Sequence, residues 1–169
     1  MTNEAKPSVR KCGPCTVCCN GWLRIKVRRA TISPGKPCPH SGCKGCDIYE
    51  FRPEVCVKFK CAWLKDPRSI PIWMRPDKAK VIVRYITWGT EVPVLAAIPV
   101  GTKIPKKAIK FLQSASTQYG IPLVMFERFK ENGGYKPIMS VTAYGPPGME
   151  KIFEQIREQI KQIEYMGPM

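Results

Sequence analysis

The chain has 169 residues, 44% of them hydrophobic and 24% charged, and its 28 Lys and Arg residues against 13 Asp and Glu residues give a net charge of +15. This length suits one domain, or one domain with a small appended module, and the composition excludes a wholly disordered chain and a collagen-like repeat. No apolar stretch approaches the roughly 20 residues of a membrane span, so we expect no membrane partner, whereas the positive charge favours polyanions.

Residues 1–11 form a polar N-terminal tail without the apolar segment of a secretory signal peptide. We therefore expect a cytoplasmic protein, where thiols stay reduced and clustered cysteines more often bind metal or carry out redox chemistry than form disulfides. All nine cysteines lie between Cys12 and Cys61. The expected division is the tail, a cysteine-cluster metal-binding domain at 12–65, a Pro-rich connector at 66–78 and a small α+β domain at 79–169.

The first cysteine group, at positions 12, 15, 18 and 19, has the pattern C-x2-C-x2-C-C. Three thiols at this spacing can turn toward one centre, as in ferredoxin-type iron–sulphur loops, although the fourth cysteine of that pattern is missing. Zinc prefers two C-x2-C pairs, and Cys43 and Cys46 supply a second pair. Adjacent Cys18 and Cys19 must point in different directions, so either they serve two centres or one of them is not a ligand.

The second cysteine group comprises Cys38, Cys43, Cys46, Cys56 and Cys61. Residues 54–65 predict one short helix with Pro53 at its first turn, and on an ideal helix Cys56 and Cys61 lie about 140° apart around the axis. These two cannot face one metal unless the helix ends between them or they belong to two sites. Nine thiols allow two four-thiolate centres with one thiol left over; the alternative is that some are structural thiols, which pack like small hydrophobes.

Residues 79–169 predict the order β-β-α-β-β-α, a small sheet covered by helices on one face. Strands are expected at 79–88 and 92–100, joined by a short turn, and at 121–130 and 135–144, around the tight-turn sequence ENGG. A helix at 104–119 begins with Pro105 and stops at Gly120. An amphipathic helix at 150–165 has a buried stripe of Ile152, Ile156, Ile160 and Ile163. This half has no Cys, no His and no Gly-rich phosphate loop, so no catalytic residue is identified.

Two basic surfaces are expected. From Leu23 to Arg28 apolar and basic residues alternate, which predicts a half-buried strand with a basic outer face. A second basic cluster at the start of the 104–119 helix consists of Lys103, Lys106, Lys107 and Lys110. Beside Trp22 and Tyr119, these surfaces could form a groove for nucleic-acid phosphates. The alternative is that they are solvated faces of a generally basic protein.

Four motifs occur together in the cysteine-rich half: the C-x2-C-x2-C-C run, then Cys38-Pro39-His40, then C-x-IYE-x-RP-x-x-C at 46–56, and FKCAWL at 59–64. In this combination the chain resembles the YkgJ-type cysteine cluster family, or CxxCxxCC domain, which is described as zinc- or iron-chelating. The resemblance implies a metal or iron–sulphur centre held by Cys12, Cys15, Cys18, Cys19, Cys38, Cys46, Cys56 and Cys61. Cys43 is additional to the usual eight, and the family supplies a cofactor class without a reaction.

Two more residues are candidates beside the thiols. Arg52 could donate hydrogen bonds to cluster sulfurs as a cofactor-binding residue, or it could form a surface ion pair with Glu50 or Glu54. His40 is the only histidine of the chain and a candidate zinc ligand, with packing or a local hydrogen bond as the alternative.

The expected function is a cytosolic metal-binding protein with one or two cysteine-ligated zinc or iron–sulphur centres, of which the C-x2-C-x2-C spacing slightly favours iron–sulphur. One alternative is a nucleic-acid or ribonucleoprotein binding module whose metal sites only hold the fold. A second is an iron–sulphur redox protein or enzyme. Since no nucleophile with an adjacent base and no nucleotide-binding loop accompanies the cysteines, an enzymatic reaction would have to rely on the cluster itself.

Overall fold

The computed structural model describes residues 10–87 and 93–165, with their side chains except those of 137–139 and 159–165. Helices and strands are both present, so the α+β class is confirmed. The expected tail over 1–9 and the expected turn between the first two strands of the second half lie outside the described residues. The expected burial of Ile160 and Ile163 concerns side chains that lie outside the described ones. No helix within the described ranges is long and apolar enough to cross a membrane.

Short elements make up the cysteine-rich part of the chain. Two antiparallel hairpins pair β1 (Ile25–Val27) with β2 (Ala30–Ile32) and β3 (Ser41–Gly42) with β4 (Gly45–Cys46). Three short helices follow, namely α1 (Glu54–Lys58), α2 (Ala62–Lys65) and α3 (Pro76–Ala79). Strand β1 exposes Lys26 and buries Val27, so it has a basic outer face and an apolar inner face.

The expectation of one helix at 54–65 is wrong. The helix ends at Lys58 and a new one begins at Ala62, because Phe59 (φ −72°, ψ 118°) and Cys61 (φ −67°, ψ 163°) have extended backbone. Both Phe59 and Cys61 line the same internal cavity, and Cys61 is only 5% exposed. A helix this short gains little from propensity alone, so burying a ring and a thiol at the break decides the local structure.

A four-stranded sheet forms the second half. Its strands are β5 (Val81–Ile86), β6 (Val94–Pro99), β7 (Leu123–Glu131) and β8 (Gly134–Tyr144), in the spatial order β5-β6-β7-β8. Neighbours are antiparallel except β6 and β7, which are parallel and are connected through helix α4 (Lys106–Tyr119). Helix α5 (Glu150–Tyr165) follows the last strand.

Helix α4 illustrates how local signals set the element ends. Pro105 precedes the helix with an extended backbone, and Gly120 ends it at φ 62°, a left-handed conformation that glycine adopts at no steric cost. Leu112, at 0% exposure, lies on the face that α4 buries. On α5, Ile156 is 1% exposed and Ile152 packs against the core. The amphipathic patterns of both helices therefore place their apolar sides on the protein interior.

One continuous hydrophobic core joins the two halves, since it contains Leu23 and Trp63 from the cysteine-rich part as well as the central strands of the sheet. Polar contacts reinforce this joint. The Arg128 guanidinium, on a residue 8% exposed, donates to the Trp22 carbonyl at 2.8 Å, and the Trp22 ring meets Tyr135 edge-on at 5.0 Å. The sheet is thus a platform that holds the cysteine-bearing loops in place.

Candidate metal centre

A cavity of about 100 Å³ lies within the cysteine-rich part and collects most of the thiols. Eight cysteines line it, and these are the eight implied as ligands by the family resemblance: Cys12, Cys15, Cys18, Cys19, Cys38, Cys46, Cys56 and Cys61. Cys43 is exposed and is not part of the lining. All nine thiols are free. The remaining lining is largely apolar and aromatic, and it contains no carboxylate among the described residues.

The thiols share the cavity without converging on a point. In the part of the chain that the structure describes, no group of three or more His, Cys, Asp and Glu side chains is arranged so that it could hold a metal ion. The donor chemistry is nevertheless that of a soft metal, because the cavity offers eight sulfur donors and one imidazole. The chain therefore supplies suitable ligands in one place, while the sulfur positions are not those of a closed coordination sphere.

Tight turns deliver the first group of cysteines. The Cys15 amide donates to the Cys12 carbonyl at 3.0 Å, which folds the first C-x2-C pair into a turn. Cys18 and Cys19 begin a single widened turn of helix at Cys18–Trp22, inside which Gly21 has φ 88°. A Cβ at Gly21 would overlap the Ser33 carbonyl oxygen, so glycine allows this turn to approach the β2 end closely.

Long-range contacts bring in the second group. The Cys38 amide donates to the Cys19 carbonyl at 2.7 Å, and the Ser41 amide donates to the Cys38 carbonyl at 3.0 Å. Ser41 is also paired with Cys46 across the β3–β4 hairpin. Cys56 lies on α1, and Cys61 directly precedes α2. The backbone therefore holds Cys19, Cys38 and Cys46 together without using their side chains.

Burial favours the protonated form of six of the eight cavity thiols by raising their pKa values. It is the largest cause that raises the pKa of Cys12, Cys15, Cys18, Cys56 and Cys61, and it also raises the pKa of Cys19 to about 11. Neighbouring thiolates oppose ionisation further, most clearly at Cys18 and Cys19. An uncompensated cluster of buried thiolates is therefore unfavourable, and a bound cation would reverse this balance.

Backbone amides around the cavity favour the thiolate form. Against the larger effect of burial, the amides of Val17 and Asp77 donate to the Cys15 sulfur and lower its pKa. The amides of Leu64 and Trp63 do the same for Cys61. Amides that donate to sulfur are the usual partners of metal-bound thiolates, because they stabilise the charge and orient the ligand. Sequence reasoning missed the amide of Asp77, which reaches the cavity only through the tertiary fold.

Arg52, the candidate cofactor-binding residue, lies beside the thiols of the cavity. It lines the cavity, and its guanidinium stacks over the Tyr49 ring at 3.8 Å from the ring centroid. Burial has the largest effect on the pKa of Cys12 and raises it, whereas the positive charge of Arg52 is the largest cause that lowers it. The same charge also lowers the pKa of Cys56. The alternative ion pair with Glu54 is not observed, because Glu54 pairs with Lys58 at 2.6 Å.

A second arginine at the site was not foreseen. Arg84 comes from strand β5, stacks over the Phe59 ring at 5.2 Å, and interacts electrostatically with Cys18. Burial lowers the pKa of Arg84, and the charge of Cys18 raises it again in part. The one signal available in sequence was a basic residue within the otherwise apolar run VIVRYI.

His40 lines the cavity, and its carbonyl accepts a hydrogen bond from the Asp47 amide at 2.9 Å. Among the described contacts, its imidazole has none with a thiol.

The two aromatic residues expected beside the basic groove, Trp22 and Tyr119, differ in their exposure. Trp22 is partly buried against Tyr135, whereas Tyr119 is 49% exposed at the end of α4. In the basic cluster at the start of α4, Lys107 lies over the Trp73 ring at 4.6 Å.

Comparison with known proteins gives no relative from which a role could be transferred. No protein-family model, no curated protein and no solved structure matches the chain. The resemblance to the YkgJ-type family therefore rests on the quoted cysteine motifs, and the function has to be argued from the site.

Proposed function

We propose that this protein binds metal through the thiolates of the eight-cysteine cavity, as one or two zinc or iron–sulphur centres. The observation that supports this most strongly is the sorting of the nine cysteines. Eight, which come from turns, a hairpin and two helices, line one cavity, and the ninth, Cys43, is left at the surface. Packing of small hydrophobes would not by itself collect sulfur so selectively.

Metal binding accounts for the electrostatics of the cavity as well. Buried thiols with raised pKa values are poor nucleophiles and ionise reluctantly, but a metal ion displaces their protons and pairs with the resulting charge. The amides directed at Cys15 and Cys61 and the guanidinium of Arg52 already favour that charge. A bound zinc ion would cross-link the loops, and an iron–sulphur cluster would in addition supply one-electron transfer.

The sulfur positions must adjust when metal binds, since they do not form a closed site as they stand. Such adjustment is expected where folding and metal binding are coupled, because neutral thiols do not draw one another into a tetrahedron and a metal ion does. The segments that carry the cysteines are turns, one two-residue strand and short helices, so small backbone shifts suffice. The sheet platform would remain in place during this closure.

The experiment that tests the proposal starts from full-length protein purified without oxygen. Zinc, iron and acid-labile sulfide are counted per chain, and the visible spectrum is recorded. We expect stoichiometric metal, with a brown colour and sulfide if the centre is iron–sulphur and a colourless protein if it is zinc. Cys15→Ser should lose metal, whereas the matched Cys43→Ser variant should retain all of it. A metal-free wild type, or full metal content in Cys15→Ser, would contradict the proposal.

A second candidate, nucleic-acid binding, is favoured by the charge distribution on the sheet half. Lys103, Lys106 and Lys110 are exposed at the start of α4, and the net charge of the chain is +15. Affinity for a single-stranded oligonucleotide should then fall steeply with salt, because each phosphate contact releases counterions. Exchanging these three lysines for Gln should reduce the salt slope and leave the metal content unchanged, whereas salt-independent or absent binding would exclude this role.

A further inference from the structure

We infer that the eight cavity cysteines form two separate four-thiolate centres, divided between the adjacent residues Cys18 and Cys19. The inner set, three of whose members lie against the hydrophobic core, consists of Cys12, Cys15, Cys18 and Cys61. The outer set, on the side of the hairpin β3–β4, consists of Cys19, Cys38, Cys46 and Cys56. This inference rests on the proposed metal-binding function and specifies which ligands act together.

The backbone gives the first reason for the division. Cys18 and Cys19 are consecutive residues on one widened helical turn, so their side chains leave the helix axis in different directions. The Cys19 carbonyl accepts a hydrogen bond from the Cys38 amide, and Cys38 is tied through Ser41 to the strand that carries Cys46. Cys18 has no such link to the hairpin among the described hydrogen bonds.

Packing gives the second reason. Cys61 belongs to the core at 5% exposure, and Cys15 and Cys18 pack against that core. The turn that joins Cys15 to Cys12 keeps this pair together. Cys19, Cys38, Cys46 and Cys56 line the cavity but are not among the residues that pack against the core. Three thiols of the inner set therefore lie against the core, whereas those of the outer set do not.

Cys12 does not itself pack against the core, and it is assigned to the inner set because the turn at Cys12–Cys15 joins it to Cys15. Cys56 lies on α1 and lines the cavity without packing against the core, so it is assigned to the outer set.

The test removes two thiols from one set at a time in the full-length protein. The inner variant is Cys12→Ser with Cys15→Ser, the outer variant is Cys46→Ser with Cys56→Ser, and Cys43→Ser is the control. Metal per chain is counted in each protein as purified, together with sulfide. We expect each double variant to retain half of the wild-type metal, and the control to retain all of it.

Alkylation followed by mass mapping shows which thiols stay protected. In the outer variant the inner thiols should remain unreactive while Cys38 becomes reactive, and in the inner variant the outer thiols should remain unreactive. Loss of all metal from either double variant, or exposure of both sets at once, would mean one shared centre and would overturn the division while leaving metal binding intact. A wild type without any metal would overturn the proposed function as well.

A double variant could also fail to fold, which circular dichroism would show. The wild type then decides the question by itself. The reduced, metal-free full-length chain is titrated with Co²⁺, whose thiolate charge-transfer absorption reports coordination by sulfur. Saturation at two equivalents per chain is the expected result, and saturation at one equivalent would overturn the division into two centres.

Discussion

Replacing Arg10 by Met should destabilise the protein strongly, although Arg10 is far from the sheet in sequence. Its guanidinium donates to three carbonyls, those of Trp63 at 2.9 Å, Ile70 at 2.7 Å and Pro67 at 3.1 Å, and it stacks on the Trp63 ring at 4.8 Å. These carbonyls belong to the segment that leads from the cysteine cavity to the sheet. Arg10→Met leaves all three without this donor.

The magnitude follows from the kind of bond. A hydrogen bond from a charged donor contributes about 1.5–3 kcal/mol, and a partly exposed cation–π contact adds about 0.5–1 kcal/mol. Because Arg10 is only partly buried, the lower ends of these ranges apply, and release of the ordered side chain returns about 2 kcal/mol of rotamer entropy. The expected loss in the free energy of unfolding is therefore about 3 kcal/mol.

The assay is urea unfolding of the full-length protein at fixed metal content, followed by circular dichroism. Lys11→Met is the matched control, since Lys11 is the exposed neighbour and removes the same charge. The midpoint should shift for Arg10→Met and stay nearly constant for Lys11→Met, with similar slopes. If both variants unfold within about 0.5 kcal/mol of the wild type, the contacts of Arg10 do not stabilise the fold as argued here.

Three further predictions address the core, a close backbone approach and a carboxyl group. Leu112→Ala, at a position with 0% exposure, should cost about 2–5 kcal/mol in chemical denaturation, and a loss below 1 kcal/mol would mean that α4 is not packed as described. Gly21→Ala should destabilise the cysteine-rich part, because its Cβ would overlap the Ser33 carbonyl oxygen. Gly35→Ala is the control, since Gly35 has a similar φ of 84° but open space at the Cβ position, and its effect should be milder. Equal melting temperatures of the two variants would contradict the overlap at Gly21. Burial by itself raises the pKa of Asp66, but hydrogen bonds that include one from the Tyr85 hydroxyl at 2.9 Å outweigh it and lower the pKa below 3.8. The carboxylate therefore stabilises the fold above that pH and loses this effect as the pH falls through its folded pKa. The difference in the free energy of unfolding between wild type and Asp66→Asn should narrow on acidification. A constant difference would refute the stabilising role of the Asp66 carboxylate.

Local sequence signals predicted the elements whose ends are set by neighbouring residues. The helix expected at 104–119 is observed at Lys106–Tyr119, and the one expected at 150–165 is observed at Glu150–Tyr165. A proline, a glycine and an apolar period of about 3.6 residues influence only the few residues around them, so they predict helix ends from the sequence alone. The cysteine motifs are equally local, and the eight thiols that the family resemblance implies as ligands line one cavity.

Only the tertiary structure decided what surrounds those thiols. The break between Cys56 and Cys61 and the arrival of Arg84 and the Asp77 amide all depend on contacts between distant parts of the chain. Sequence spacing determines which thiols lie close together along the chain, but burial against the sheet and long-range hydrogen bonds determine which ones line the same cavity. The candidate donors can therefore be named from the sequence, whereas their surroundings and the charges near them depend on the packing of one half on the other.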